Sequence, residues 1–547
     1  MRRIIAIKTL SLLMVAVLAA SVSQQAAPPA LALAAAPGTY NAGDISVIND
    51  IIANNGLYWT PANPADGSYV PSDWVAAIWS QDATNRRIIQ LNPWNGRLTG
   101  TLDVSGLSGL QTLHIGRCQL KALSELPPEL TFLDCWDNQL TSLPELPSRL
   151  EWLNCSDNQL TSLPAIPQSL SYLNCSSNQL EALPALPSGL ASINCNKNQL
   201  AALPPLPSSL DRLECFDNLL TSLPTLPSSL TYLCCDDNQL TALPDLPSGV
   251  SSLSCGYNRI TELPMLPPGL RTLDCGGNQV SALPSLPPGL RHIYCSANQL
   301  TDLPTLPQSL RTLVCDDNQV AMPPELPYWL ERLSCIGNQL TELPALPVGL
   351  KELNCGYNLL TALPELPTGL SELNCESNRL TSLPTLPSSI FQLYCQNNQL
   401  RELNIVDLHW PVFINAKHNR LTELKLSDSH SYYGIDISYN YMKDTSAITG
   451  KDVRWDIPAI ERYYTFSPQY TVENPFSDVK DGDWYFSSVM YAIQNSLFSG
   501  TAPTAFGPGD PMTRAMFAVV LARLDKANLN PEALIRDPGF TDVAEGD

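Results

Sequence analysis

Apolar and polar positions recur every 20 residues through most of this 547-residue chain. The period reads L-x-x-L-x-C-x-x-N-x-L-x-x-L-P-x-L-P-x-x, and residues 150–169, LEWLNCSDNQLTSLPAIPQS, are a good copy. The cysteine recurs without a break from Cys135 to Cys395, and an asparagine follows each one by three positions. This spacing indicates stacked units, because one unit cannot bury its own leucines. The pattern predicts an elongated, curved solenoid whose function lies on a surface.

Each part of the period predicts a local structure. Leucine and cysteine two residues apart indicate a short strand with both side chains inward, and Ile115 takes the cysteine position of an earlier copy. The asparagine is expected to bond the backbone at the bend, and neighbouring asparagines to form a ladder. Prolines such as Pro164 and Pro167 exclude a helix and favour an extended return. Two later copies, marked by Asn419 and Asn440, step by 21 residues.

The chain has 16 cysteines, which in an exported protein suggests a disulfide framework. Equivalent cysteines of adjacent turns would lie roughly 4.8 Å apart with parallel side chains, a poor geometry for bridging. We therefore expect the periodic cysteines to be reduced core residues. Cys118 stands where later copies have asparagine. Cys234 is expected to face solvent beside the buried Cys235.

The N-terminal residues predict export. Basic residues precede the apolar run 10–20, and small residues follow as far as Ala36. This arrangement is typical of a signal peptide, here over 1–34, with cleavage best at Ala32-Leu33-Ala34 or alternatively at Ser21–Ser23. A membrane anchor is the other interpretation, but the run is shorter than the about 20 residues that a spanning helix needs.

The remaining domains follow from where the period begins and ends. Residues 35–87 are expected to cap the first repeat, with a helix that Asp44 caps and whose isoleucines recur at helical spacing. The solenoid is predicted over 88–450 and a linker over 451–473. Residues 474–535 form a separate C-terminal domain, for which we predict two amphipathic helices, Ser487–Leu497 and Thr513–Leu524. Residues 536–547 are expected to be the start of a truncated second copy of that domain, because Phe540–Asp547 resembles Phe476–Asp483.

The repeats resemble bacterial leucine-rich repeats of the short LPxLP type, over about two thirds of the chain. This resemblance implies a leucine-rich repeat solenoid, a right-handed horseshoe with parallel β-strands on the concave face and an extended convex face. Similar short repeats occur in effectors that carry a ubiquitin-ligase domain. No such domain is recognisable after these repeats, so that activity is not inferred.

The C-terminal domain resembles a small helical surface-layer homology (SLH) domain, through Phe476-Ser477-Asp478-Val479, Asp483-Trp484-Tyr485 and Thr513-Arg514-Ala515. Such domains hold proteins on bacterial walls by binding secondary cell-wall polysaccharides, often pyruvylated. The resemblance implies wall-polymer contacts by Asp478, Trp484, Thr513 and Arg514. Met516 replaces the acid that commonly follows this motif, which leaves Arg514 as the clearer contact for an anionic sugar.

Aromatic residues cluster on the predicted concave face, and we expect them to form an exposed ligand-binding row. They are Phe132, Trp136, Trp152, Tyr172, Phe216 and Tyr232. An exposed aromatic run indicates a binding patch. The alternative is that the rings only pack with one another as strand neighbours. Nearby acids, including Asp134 and Glu214, suit a partner with basic or hydroxyl-rich groups.

The charge and motif content narrow the class of function. The chain carries 52 acidic and 31 basic residues, a formal net charge of -21, which argues against nucleic acid as a partner. Its 5 histidines form no HExxH, and no CxxC, P-loop or GxSxG is present, so we expect no enzyme activity, metal or cofactor. The sequence predicts a secreted bacterial surface protein, associated with the cell wall or S-layer, that mediates adhesion by binding protein or glycan. The alternative is a structural envelope component with the repeats as a spacer.

Overall fold

The computed structural model describes residues 39–93, 98–408, 412–428, 432–456, 463–470, 475–479, 486–494 and 504–507. The chain forms two compact units, Met1–Leu140 and Thr141–Asp547. Regular structure in the described part is mostly short strands. None of the helices in these ranges is long and apolar enough to cross a bilayer.

The described residues of the first unit form one helix and six strands. They are α1 (Ala42–Asn55), β1 (Ala77–Trp79), β2 (Ile88–Leu91), β3 (Thr99–Leu102), β4 (Thr112–His114), β5 (Gln119–Leu123) and β6 (Phe132–Asp134). Strand β1 is antiparallel to β2, whereas β2, β4 and β6 form a parallel ladder and β3 pairs in parallel with β5. Ile45, Ile48 and Ile51 on α1 are buried, as the helical spacing predicts.

The expected role of Asp44 was wrong. Asn41 caps α1 by accepting a hydrogen bond from the Asp44 amide at 3.1 Å. The Asp44 carboxylate is fully buried, pairs with Arg87 at 2.8 Å and accepts the amide of Ile88 at 2.7 Å. At the other end of α1, the Asn55 amide donates to a β3 carbonyl, that of Thr99, at 2.6 Å. The side chains of α1 thus fasten the helix to the first strands.

The second unit repeats one turn many times. Its strands are β7 (Trp152–Asn154), β8 (Tyr172–Asn174), β9 (Ser192–Asn194), β10 (Arg212–Glu214), β11 (Tyr232–Cys234), β12 (Ser252–Ser254), β13 (Thr272–Asp274), β14 (His292–Tyr294), β15 (Thr312–Val314), β16 (Arg332–Ser334), β17 (Glu352–Asn354), β18 (Glu372–Asn374), β19 (Gln392–Tyr394), β20 (Val412–Asn415), β21 (Leu424–Lys425), β22 (Tyr432–Asp436), β23 (Ile448–Thr449) and β24 (Tyr463–Thr465). Strands β7 to β20, then β22 and β24, form one parallel ladder, and β21 pairs with β23. A 3-10 turn lies at Thr445–Ala447, and helix α2 covers Phe486–Gln494.

The core of each turn follows the leucine spacing. In the copy that contains β7, Leu150, Leu153 and Leu160 are fully buried. The proline-containing return is extended and contains no helix in any described turn. Because these short strands pair in register with the next turn, the buried leucines stack into a continuous core. The predicted parallel solenoid is confirmed.

The repeat asparagine ties each turn to the one before it. Asn178 donates from its amide nitrogen to the carbonyl of Cys155 in the preceding turn at 3.0 Å and to that of Cys175 at 3.1 Å. Its side-chain oxygen accepts the amide of Leu160 at 3.0 Å. The same bonds continue at Asn419 and Asn440, despite the 21-residue step. The ladder therefore runs through the backbone and not from one asparagine side chain to the next.

All sixteen cysteines are buried and carry thiols rather than disulfides. Several thiols donate to a carbonyl of the next strand, as Cys255 does to Asp274 at 3.4 Å. The expectation that Cys234 faces solvent was wrong, because only 9% of this residue is exposed. Its thiol donates to Oδ2 of Asp236 at 3.1 Å. Burial raises the pKa of the Cys234 thiol well above its ordinary value, and the Asp236 carboxylate adds to the shift.

The segment predicted as a linker is partly structural. Strand β24 (Tyr463–Thr465) pairs with β22 and so adds one more strand to the repeat ladder. Beyond it, the amide of Tyr470 donates to the carbonyl of Asn440 at 2.7 Å. The predicted helix 487–497 appears as α2, Phe486–Gln494. The predicted helix 513–524 lies outside the described residues, as do the signal peptide and residues 536–547.

Candidate functional site

Two rings of the predicted aromatic row meet as expected. Trp152 and Tyr172 stand directly opposite each other on β7 and β8, and their rings stack at 4.9 Å between centroids with 3° between planes. Both residues are half-buried, so the row is less exposed than the sequence suggested. Stacking of strand neighbours accounts for part of this burial. The arrangement leaves a flat aromatic surface at the start of the second unit.

Phe132 and Trp136 belong to the first unit and are also half-buried. The ring of Phe132 lies 4.7 Å from that of His114. The indole ring of Trp136 packs against the backbone of Gly116. A Cβ atom added to Gly116 would lie only 2.3 Å from the indole nitrogen. The guanidinium of Arg117 lies 4.6 Å from the same ring. Trp136 is therefore held by packing and a cation–π contact within its own unit.

Phe216 and Tyr232 lie in a network that the sequence did not reveal. Arg212, beside Tyr232 on adjacent strands, places its guanidinium 3.7 Å from the ring centroid. It also donates to Glu214 at 2.6 Å. The amide of Phe216 donates to the side chain of Asn196 at 2.7 Å. Sequence reasoning named the two aromatic residues but missed Arg212, whose position three residues before Cys215 was the available signal.

The two strands after Tyr232, β12 and β13, carry serine, threonine and aspartate at their outward positions, and two carboxylates lie close together beside them. A Cβ added to Gly256 would lie 3.1 Å from Oδ1 of Asp236 and 3.5 Å from Oδ1 of Asp274. Ser254 donates to Asp236 at 2.8 Å. Burial raises the pKa of Asp274 to about 7, and the neighbouring Asp236 contributes to the shift. The carboxylates of Asp236 and Asp274 therefore form an acidic pair beside Gly256, which suits a basic group on a partner.

The C-terminal candidate site is described only in part. Asp478 accepts the amides of Phe506 and Gly507, each at 2.7 Å. The Gly507 amide, and after it the Phe506 amide, lower the pKa of the Asp478 carboxyl. This side chain therefore closes a loop within the domain. Trp484, Thr513 and Arg514 lie outside the described residues.

An apolar cluster connects the last repeat with the C-terminal domain. It is formed by Tyr470, Phe476, Val479, Phe486, Val489 and Met490. Tyr439 and Tyr441 from the final turn pack against it. The hydroxyl of Tyr470 also lies 2.8 Å from Nδ1 of His418. The start of the C-terminal domain is thus packed on the repeat ladder.

Residues 475–518 match the family model of the S-layer homology domain. The same region is 40% identical over 68 residues to an endoglucanase of Bacillus sp. (strain KSM-635), a match that covers 12% of this chain. The chain spans only 7% of the length of that enzyme, so the match concerns the shared domain. The domain implies binding to cell-wall polysaccharide and association with the cell surface.

The repeats are similar to those of solved bacterial proteins. YopM from Yersinia enterocolitica WA-314 is 31% identical, with a TM-score of 0.56, over 67% of this chain and 91% of that chain. YopM from Yersinia pestis, a leucine-rich effector protein, is 39% identical, with a TM-score of 0.50, over 56% of this chain and 86% of that chain. Together with the fold, these likenesses define the class as bacterial proteins built from a leucine-rich repeat solenoid. The chain belongs to the bacterial leucine-rich repeat proteins and carries an S-layer homology domain.

Proposed function

We propose that this protein is a non-enzymatic adhesion protein that is secreted and held on the cell wall by its S-layer homology domain. The repeat solenoid presents its strand face to a protein partner with basic groups. The match of residues 475–518 supports the anchoring half of this proposal. The secondary wall polysaccharide, with pyruvylated sugars as a candidate epitope, is the expected ligand, and Asp478, Trp484, Thr513 and Arg514 are its proposed contacts.

The observation that carries the recognition half is the aromatic surface of Trp152 and Tyr172, followed by the Arg212–Tyr232 pair. Tryptophan, tyrosine and arginine are the residues most enriched at interface hot spots. The acidic pair of Asp236 and Asp274 adjoins this surface, because Tyr232, Ser252 and Thr272 are paired on successive strands. A partner that presents a lysine or arginine there would pair with Asp236 and Asp274.

Photo-crosslinking on intact cells tests recognition. A photoreactive amino acid replaces Tyr172 on the strand face, and a matched variant carries it at Ser162, an exposed position on the outer return. We expect one discrete crosslinked partner from position 172 and none from position 162. Equal crosslinking from both positions would contradict a dedicated face.

The second candidate function is a structural spacer in the envelope. The specific observation in its favour is that Trp152 and Tyr172 already stack on each other and so need no ligand to cover them. The stability of a Trp152→Ala variant separates the two. Recognition predicts a loss of about 0.5–1.5 kcal/mol, the worth of one aromatic pair, whereas Leu153→Ala next to it should cost about 2–5 kcal/mol. Strong destabilisation by Trp152→Ala would favour the spacer.

A further inference from the structure

A row of basic residues lies where the chain enters its strands in the middle of the second unit. The residues that directly precede β13 to β17 are Arg271, Arg291, Arg311, Glu331 and Lys351. Each residue after Arg271 donates its amide to the carbonyl of the previous member at 2.8 Å, so they lie one above another on successive turns. Four of five positions are basic in a chain whose net charge is -21.

The acid in this row is already neutralised. Glu331 accepts from Lys351 at 2.8 Å and pairs with Arg311 at 3.3 Å. The hydrogen bond from Lys351 holds the pKa of Glu331 below its ordinary value. Arg271 and Arg291 are exposed and have no acid partner among the residues that the structure describes. The backbones of Arg271 and Arg291 lie one strand spacing of about 4.8 Å apart, so their positive charges are near each other and an anionic ligand would reduce the repulsion between them.

The exit ends of the same turns have the opposite sign. Exposed acids follow β14, β15 and β16, at Asp302, Asp317 and Glu342. The entry edge of these turns is therefore basic and the exit edge is acidic, although the turns taken together are not basic. Such segregation steers an anion to one edge and repels it from the other.

An exposed aromatic pair adjoins this row. Tyr328 is 56% and Trp329 54% exposed, and their rings contact edge to face at 4.9 Å. The guanidinium of Arg311 lies 5.1 Å from the indole of Trp329. Other copies have small or polar residues at these two positions, such as Gln308 and Ser309.

The tryptophan also removes a structural contact. The hydroxyl of Ser309, which is the equivalent residue one turn earlier, donates to the carbonyls of Pro288 and Leu290, both at 2.7 Å. Trp329 cannot donate in this way, and more than half of its surface faces solvent. Folding therefore gains little from a tryptophan here, which points to a role in binding.

We propose that this basic edge, formed by Arg271, Arg291, Arg311, Lys351, Tyr328 and Trp329, binds an acidic polysaccharide. Guanidinium groups recognise carboxylate and phosphate through paired hydrogen bonds. Their regular spacing is close to the length of one sugar ring, so successive anionic sugars of an extended chain would meet successive turns. The exposed indole and phenol offer flat apolar faces against which the C–H face of a sugar packs. This surface is separate from the strand face and from the S-layer homology domain.

Binding of the full chain to polygalacturonate, a linear carboxylated polysaccharide, tests the proposal, with neutral pullulan and poly-L-glutamate as comparison probes. We expect binding to polygalacturonate that weakens as salt rises, and none to pullulan. The triple variant Arg271→Gln/Arg291→Gln/Arg311→Gln should lose roughly tenfold or more in affinity, because it removes several charge-assisted contacts. A matched variant, Lys197→Gln/Arg259→Gln/Arg379→Gln, makes the same charge change at the exit ends and should retain wild-type binding.

The variant Trp329→Ser distinguishes a built site from plain charge attraction. It restores the residue found in other copies, so the melting temperature should stay the same or rise while polygalacturonate affinity falls roughly fivefold, as for a contact residue at an interface. The proposal would be overturned if the chain did not bind polygalacturonate, or if both triple variants lost the same affinity for it. It would also be overturned if the chain bound poly-L-glutamate more tightly than polygalacturonate and Trp329→Ser left that binding unchanged. The last result would assign the edge to an acidic polypeptide.

Discussion

The asparagine three residues after each cysteine shows how one side chain can join two turns. Asn258 donates to the carbonyls of Cys235 and Cys255 and accepts the amide of Leu240 from the preceding turn. No hydrophobic residue could satisfy these buried backbone groups, and leaving them unpaired costs about 1–3 kcal/mol. The cysteine fills the space behind the strand as a small apolar residue. The two residues therefore act together, one through hydrogen bonds and one through packing.

The buried thiols predict slow chemistry. Because the thiolate is the reactive form and burial raises the pKa of thiols such as Cys175 and Cys255, native alkylation should be negligible for all sixteen cysteines, Cys234 included. Labelling with iodoacetamide before and after unfolding, followed by mass spectrometry, measures this. Rapid native labelling of Cys234 alone would show that Asp236 does not hold it inside.

Asp274 predicts a stability that depends on pH. Its pKa is about 7 in the folded chain against 3.8 for an ordinary aspartate, so the folded state holds one extra proton between these values. This group therefore stabilises the fold most at the acidic end of that window and loses its contribution as pH rises to about 7. Asp274→Asn should raise the urea midpoint at pH 8 more than at pH 5.

The matched control for Asp274 is Asp302→Asn, at an exposed position. It should shift the urea midpoint equally, and slightly, at both values of pH. If the urea midpoint of the Asp274→Asn variant depended on pH in the same way as that of the wild-type chain, other titratable groups would be responsible for the dependence.

At the scale of the turn, the residue two positions after each cysteine adopts a left-handed conformation. The φ angle is +69° at Gly277 and +54° at Ala297, and most turns use aspartate, asparagine or serine there. This conformation turns the chain sharply enough for the asparagine to reach the backbone beside it. Residues with a Cβ pay about 1–2 kcal/mol for it unless a short polar side chain compensates.

This turn predicts opposite effects of two small substitutions. Gly277→Ala should destabilise by about 1–3 kcal/mol, because its Cβ would lie 2.7 Å from the ring of Tyr257 at a positive φ. Ala297→Gly should be neutral or stabilising by up to about 1 kcal/mol, since relief of strain opposes the added entropy of the unfolded chain. Denaturant midpoints of the two variants compare them directly, and destabilisation of equal size in both would contradict the strain argument.

At the scale of the whole molecule, the chain combines a repeat array with an S-layer homology domain. The strand face offers aromatic and acidic groups, the entry edge offers arginines, and the S-layer homology domain follows the last repeat. A chain that makes both of the proposed contacts would engage wall polymer and partner at once, and two weak contacts would then reinforce each other.

Anchoring predicts that Arg514→Ala in the full chain weakens sedimentation with wall sacculi that retain their polysaccharide. Loss of a charge-assisted contact to an acidic sugar should reduce binding by about 1.5–3 kcal/mol. Arg454→Ala, at an exposed position before the domain, is the control and should sediment like wild type. Equal sedimentation of a folded Arg514→Ala variant would remove this residue from the proposed site.

The sequence by itself determined the repeat, its buried leucines and cysteines, the extended return and the S-layer homology domain. These features depend on spacing along the chain, and every copy repeats the same local constraint. It also named the aromatic residues of the strand face, because inward and outward positions alternate along a strand.

Only the tertiary structure decided which side chains from different turns meet. Asp44 pairs with Arg87, 43 residues away, and is therefore not the cap of α1. Cys234 is buried because Asp236 accepts its thiol, and β24 extends the ladder because β22 leaves an open edge for it. Trp329 is likewise exposed because the side chains of the neighbouring turns do not cover its ring. The periodicity of the sequence specifies which way each side chain points and how far apart equivalent residues lie. Which residues a side chain contacts depends on the side chains of two or three turns together.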